Sequence, residues 1–149
     1  MKHVVSISIG SSKRNHRAEL EIMGEKFIIE RIGTDGDMDR AVELVRQLDG
    51  KVDAFGLGGM DMYIYAGNRR YTIRDSKRFA SAAKKTPLVD GSGLKNTLER
   101  RVVTFLQEKT HLDLKGRRLL MVAAVDRFGM AEAFALAGCD MVIGDLMFG

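Results

Sequence analysis

The stretch LLMVAAVDRFGMAEAFALAGCDMVIGD, residues 119 to 145, combines an apolar strand, a tight turn, an alanine-rich helix, a second apolar strand and a closing acid. That order is the first half of a dinucleotide-binding β-α-β unit. In the G-x-G-x-x-G pattern the first glycine makes the turn, the second lets the backbone meet a pyrophosphate, and the third lets helix and strand pack closely. The corresponding positions here are Ala124, Asp126 and Gly129. The packing glycine is kept, whereas a carboxylate stands where the phosphate would lie. Asp145 falls about twenty residues on, where a ribose-binding acid is expected. The spacing supports the scaffold, and Asp126 argues against ordinary pyrophosphate binding.

Working outward, the chain has 149 residues, 45% hydrophobic and 30% charged, which suits a globular domain with a substantial core. No apolar run is long enough to span a membrane, and MKHVVSISIG is too short and too soon polar for a signal peptide. The single cysteine, Cys139, forms no internal disulfide, so a reducing cytoplasm is the expected location. Net charge is +4, which favours small anionic partners. The basic residues are scattered, aromatics are 7% and Trp is absent, so nucleic acid is not an expected partner. His3, His16 and His111 lack metal-ligand spacing, and no metal is expected.

Residues 3–9 alternate as a strand, and AELEIMGEKFIIERIG reads as a hairpin turning at Met23-Gly24-Glu25. A helix follows, capped by Asp37 or Asp39, with Ala41, Val45 and Leu48 on its inner stripe and Gly50 at its end. KVDAFGLGGMD is a strand entering a glycine-rich loop, and MYIYAGNRRYTI is a second hairpin around Gly67-Asn68. Asp75 caps a short helix predicted through Lys84, PLVD is a brief strand, and GSGLKNTLERRVVTFLQEK is the longest helix. Its predicted buried face is Leu94, Leu98, Val102, Phe105 and Leu106, with Ser92 as N-cap. Together these elements predict an α/β fold: a mixed, mostly parallel sheet with two β-hairpins, ending in a Rossmann-like β-α-β segment. The polar run 110–118 divides an α/β domain, residues 1–109, from the β-α-β segment, residues 110–149. The latter either continues the first sheet or opens a second domain cut short.

In such sheets ligands sit beyond the carboxyl ends of parallel strands. Four loops there carry suggestive residues. Gly10-Ser11-Ser12-Lys13-Arg14 offers hydroxyls and cations for a phosphate or carboxylate, or is a solvated basic loop. In Gly56 to Asp61 the glycines admit a ligand or make room for the following hairpin. Asp90-Gly91-Ser92-Gly93, followed by Lys95 and Asn96, pairs a glycine-rich turn with a helix start and a cation, suited to an anion or simply to capping. The fourth loop is Asp126-Arg127-Phe128-Gly129, and Arg127 is placed to offset Asp126.

Taken together, GSSKRNHR, RIGTDGD, GLGGMD, YTIRD, VDGSGLKNTLERR and VDRFGMAEAFALAGCDMVIGDL resemble the N-terminal half of a bacterial family labelled quinate 5-dehydrogenase. The resemblance covers nearly the whole chain. Members of that family continue past this C-terminus, which would make the chain an N-terminal piece. The resemblance implies oxidation of a polyol acid with NAD or NADP, on a layout like that of quinate and shikimate dehydrogenases. On that reading Lys95 and Asp90 are the catalytic candidates. Ser11, Ser12, Lys13, Ser92, Gly93 and Asn96 are the substrate or anion ligands, and Asp126, Gly129 and Asp145 form the cofactor loop. Lys95 and Asp90 match the family's catalytic pair in residue type, not in motif. The alternative is a non-catalytic module holding a small anionic metabolite in the same loops. NAD(P) is expected to bind this chain alone poorly or not at all, and self-association into a homo-oligomer is compatible with the sequence.

Overall fold

A computed structural model describes residues 1–145. The chain is α/β, with a five-stranded, mostly parallel sheet and two further two-stranded sheets. In chain order its elements are β1 (Lys2–Ser8), β2 (His16–Ile22), β3 (Glu25–Gly33), α1 (Met38–Leu48), β4 (Ala54–Gly58), β5 (Tyr63–Ala66), β6 (Arg69–Thr72), α2 (Ser76–Ala82), β7 (Leu88–Val89), α3 (Ser92–Asn96), α4 (Leu98–Thr110), β8 (Arg118–Met121), α5 (Phe128–Leu136) and β9 (Asp140–Ile143). They form two compact units. The first comprises Met1–Met62 and Ile73–Asp90; the second comprises Tyr63–Thr72 and the chain from Gly91 onward. The division therefore falls at residue 90 and not at the polar run 110–118, because α3 and α4 pack with α5.

In the first unit the strand order is β2-β3-β1-β4-β7, with β1, β3, β4 and β7 parallel and β2 antiparallel at the edge. The order follows from side-chain alternation. Val5 pairs Phe55 and Ile7 pairs Leu57, so four apolar side chains share one face. The helices cover that face with Ala41, Val42, Val45, Phe79 and Ala82. On the opposite face Ser6 lies beside Gly56 and Ser8 beside Gly58. A Cβ on Gly58 would stand 2.9 Å from that of Ser8, so this glycine serves close strand packing. The β2–β3 turn forms at Met23-Gly24, both at positive φ (54° and 78°), the twist-matching geometry for a two-residue hairpin. Asp37 caps α1, accepting from the Arg40 amide at 2.9 Å, while Asp39 is ion-paired with Arg78.

One long-range tie was not legible in the sequence. Past the end of α1, the Asp49 carboxylate accepts from the amides of Lys84 (3.1 Å), Lys85 (2.9 Å) and Thr86 (2.9 Å). Thr86 reciprocates: its hydroxyl accepts from the Gly50 amide at 2.7 Å. These bonds end α2 at Ala82, short of the predicted Lys84, and lead the chain into β7.

In the second unit β5 and β6 make the expected hairpin, with Ala66 opposite Arg69. β8 and β9 pair in parallel, Arg118 with Asp140 through Met121 with Ile143, and α5 connects them. The β-α-β is thus present as its own two-stranded sheet, not as an extension of the first. Two expectations are corrected. The long helix is broken at Thr97 (φ −111°, ψ −71°), whose hydroxyl bonds back to the Gly93 carbonyl at 2.8 Å. Such back-bonding by a poor helix former competes with the regular ladder. The predicted apolar face is also not the buried one: α4 buries Val103, while Leu94, Leu98, Val102 and Phe105 are exposed and Leu106 is half-buried. The helix instead turns toward α5 a side carrying ion pairs, Arg100–Glu132 at 2.5 Å and Glu99–Arg127.

Gly129 sits at the start of α5 against α3, not against the preceding strand. A Cβ there would lie 2.9 Å from Asn96 Oδ1 and 3.3 Å from Asn96 Cα. Gly129→Val is expected to destabilise the second unit by about 1–3 kcal/mol, with Gly129→Ala milder, because the helices must separate. Thermal melts of both variants check this, and wild-type midpoints would refute the packing role.

The Asp49 carboxyl is held below the ordinary value of 3.8 by the amides of Thr86 and Lys85 first, then Lys84. A depressed folded-state pKa stabilises the fold above the unfolded value, and the contribution is lost as pH falls through the folded value. Asp49→Asn is therefore expected to lower the melting midpoint at neutral pH. The gap from wild type should close below pH 3.8 as the native carboxyl protonates. A gap independent of pH would contradict the assignment.

Candidate functional site

The predicted site residues divide between the two units. Ser11, Ser12, Lys13 and Asp90 belong to the first; Ser92, Gly93, Lys95, Asn96, Asp126, Gly129 and Asp145 belong to the second.

In the first unit the loop after β1 is closed by its own chain. Ser11 starts a single 3-10 turn, its hydroxyl accepting from the Lys13 amide at 3.2 Å. The Ser12 amide donates to Asp35 Oδ1 at 2.7 Å. Asp35 stands at positive φ (54°) in the loop after β3, and its carboxyl is held below 3.8 by the hydroxyl and amide of Ser12. Arg31 bonds the Ser8 hydroxyl and the Ser11 carbonyl, each at 3.0 Å. Asn15 Oδ1 accepts from the Gly33 amide at 2.6 Å. Gly33 is required by contact: a Cβ would lie 2.5 Å from the Ser11 carbonyl oxygen. The amides an incoming anion would use are thus held by a serine hydroxyl and by Asp35, while Lys13 and Arg14 remain exposed. At the end of β7, Asp90 Oδ2 accepts from the Met62 amide at 2.5 Å and ties the glycine-rich loop after β4 to that strand.

In the second unit several predicted residues converge. A small recess of about 10 Å³ is lined by Tyr63, Tyr65, Ser92, Lys95, Asn96 and Asp126, with Phe128 and Gly129 at the start of α5. Lys95 Nζ and Asp126 Oδ1 are 2.5 Å apart. Ser92 is buried as the first residue of α3, and Gly91, not Ser92, occupies the N-cap position. Gly93 lies beside the hairpin, and a Cβ there would make an ordinary contact with the Tyr63 hydroxyl at 3.5 Å. Tyr63 and Tyr65 meet edge to face, with centroids 5.5 Å apart. The two tyrosines were missed in the sequence. The available signal was the i, i+2 spacing that sets both tyrosines on one side of a strand.

The loop between β8 and α5 is likewise internally satisfied. The Asp145 carboxylate accepts from the amides of Ala124 and, at 3.3 Å, Val125. Those amides follow the first strand, where a dinucleotide unit presents its turn to the pyrophosphate. Arg127 pairs with Glu99 rather than with Asp126, which is paired with Lys95. Chemically, the cleft offers an ammonium and a carboxylate side by side, with an amide, hydroxyls and aromatic walls around them. That set donates to and accepts from a ligand hydroxyl at one point.

Among the described residues no group of three or more His, Cys, Asp or Glu is placed to hold a metal ion, and no helix is long and apolar enough to cross a membrane.

Comparison with known proteins gives two matches, which divide the chain nearly where its compact units divide. Residues 93–149 match a family model described as a domain of unknown function (DUF8754). No curated protein and no solved structure matches the chain. Residues 3–90 match the model of a domain of unknown function (DUF8753), and the chain belongs to that family.

Proposed function

We propose that the chain is a binding module for a small hydroxylated organic acid, held over the mouth of the cleft of the second unit without redox chemistry of its own. The observation that carries this reading is the Lys95–Asp126 pair at 2.5 Å in a cleft also lined by Ser92, Asn96 and two tyrosines. A lone lysine would accept any anion. Paired with a carboxylate, it favours a group that both accepts and donates, such as a hydroxyl beside a carboxylate. The tyrosines and Phe128 supply apolar contact for a ring or short carbon chain.

A second reading has a specific observation behind it. An adjacent lysine and aspartate could move a proton to or from an alcohol oxygen, as oxidation of a polyol acid by NAD or NADP requires. This fits the resemblance to quinate and shikimate dehydrogenases, with Asp126 paired to Lys95. Asp145 on the amides of Ala124 and Val125 weighs against a nicotinamide cofactor in the β8–α5 loop of this chain alone.

Calorimetry with quinate, shikimate, inorganic phosphate, NAD(H) and NADP(H) separates the readings. A hydroxy acid is expected to bind, with its dissociation constant rising about 10- to 100-fold in Lys95→Met, the loss of one charge-assisted hydrogen bond. Phosphate and both cofactors are expected to bind far more weakly. Failure of both hydroxy acids to bind would refute the first reading. Low-micromolar cofactor binding with turnover of a hydroxy acid would establish the second.

A further inference from the structure

The amphipathic stripe of α4 points outward. Leu98, Val102 and Phe105 are 57%, 40% and 57% exposed, although they recur at the 4-then-3 spacing of a helix-pairing seam. Beyond the helix end, Leu112 is exposed as well. Three large apolar side chains in register on a 13-residue helix form a patch of the kind that marks an interface.

The flank of this stripe indicates what covers it. Arg101 and Glu108 stand seven residues apart, which places them on the same edge of the stripe about 10 Å apart along the axis. Both are exposed, and neither has an ion-pair partner among the described residues. An edge carrying one cation and one anion is complementary to itself when reversed. Turned antiparallel, a second α4 sets its Glu108 opposite Arg101 and its Arg101 opposite Glu108. The two-fold axis then passes near Phe105, so the two aromatic rings meet at the centre, and Leu98 faces the other copy's Leu112. A parallel two-fold arrangement would set this edge against the opposite edge of the partner's stripe, leaving Arg101 and Glu108 without each other.

We propose that this face is an isologous interface through which two copies of the chain associate by antiparallel pairing of α4. The contact satisfies the symmetry of a two-fold dimer, with each residue of the edge meeting its complement. It buries the seam centrally and leaves the charged pairs at the rim.

Analytical ultracentrifugation of the whole chain up to about 1 mM tests the proposal. A concentration-dependent monomer–dimer equilibrium is expected. Phe105→Glu should leave only monomer, with an unchanged melting midpoint since the side chain is exposed. Arg101→Glu and Glu108→Arg should each raise the dissociation constant about tenfold by setting like charges opposite one another. The double variant, Arg101→Glu with Glu108→Arg, should restore the wild-type value. A wild-type chain monomeric throughout, a dimer indifferent to Phe105→Glu, or a double variant no better than the singles would overturn it.

Discussion

A carboxylate accepting backbone amides recurs wherever this chain must hold a loop. Asp35 takes the amide of Ser12, Asp49 those of Lys84, Lys85 and Thr86, Asp90 that of Met62, and Asp145 those of Ala124 and Val125. Amide-to-carboxylate bonds are charge-assisted, stronger than neutral ones and directional. They favour the ionised acid: the amides of Thr86 and Lys85 hold the Asp49 carboxyl below 3.8, and at Asp35 the Ser12 amide adds to the larger effect of the Ser12 hydroxyl. The consequence for function is direct. Loops of this kind, at the carboxyl ends of parallel strands, ordinarily receive phosphate or carboxylate from a ligand. Here aspartates of the chain itself take those positions in three of the loops: after β1, after β4, and between β8 and α5. An anion entering them would have to displace a covalently tethered competitor.

The second unit extends the same economy of charge to helix packing. Lys95–Asp126, Glu99–Arg127 and Arg100–Glu132 link α3 and α4 to α5 and the loop before it, with Gly129 letting the backbones approach at Asn96. Partly exposed ion pairs contribute modestly one by one, so their value here is orientation. They turn the polar side of α4 inward, which leaves its apolar stripe facing outward and Lys95 and Asp126 at a cleft.

The fold was legible where the signal is local. Alternation placed Val5, Ile7, Phe55 and Leu57 on one face; Met23-Gly24 and Gly67-Asn68 marked two-residue turns; Asp37 capped its helix. It was not legible where the partner lies far along the chain. Nothing near Asp49 or Asp35 announces amides 37 and 23 residues away. The break at Thr97 was hidden because apolar spacing runs through it, and the stripe of α4 misled because periodicity identifies an apolar face without saying what covers it. Of the candidate site, Ser92, Lys95, Asn96, Asp126 and Gly129 do meet at one cleft. Their grouping with Ser11, Ser12 and Lys13 rested on shared strand-end position alone, and those residues belong to the other compact unit.

That tethered aspartates, and not a ligand, organise the strand-end loops is the central claim, and it is tested most directly by residue-resolved amide hydrogen exchange in the ligand-free chain. The amides of Ser12, Ala124 and Val125 should be protected in the wild type at neutral pH. In Asp35→Ala the protection of Ser12 should fall while Ala124 and Val125 keep theirs; in Asp145→Ala the reverse should hold; in both, the strand amides of β1 and β3 should be unaffected. Fast exchange at all three positions in the wild type, or protection that survives removal of the carboxylate, would contradict the account.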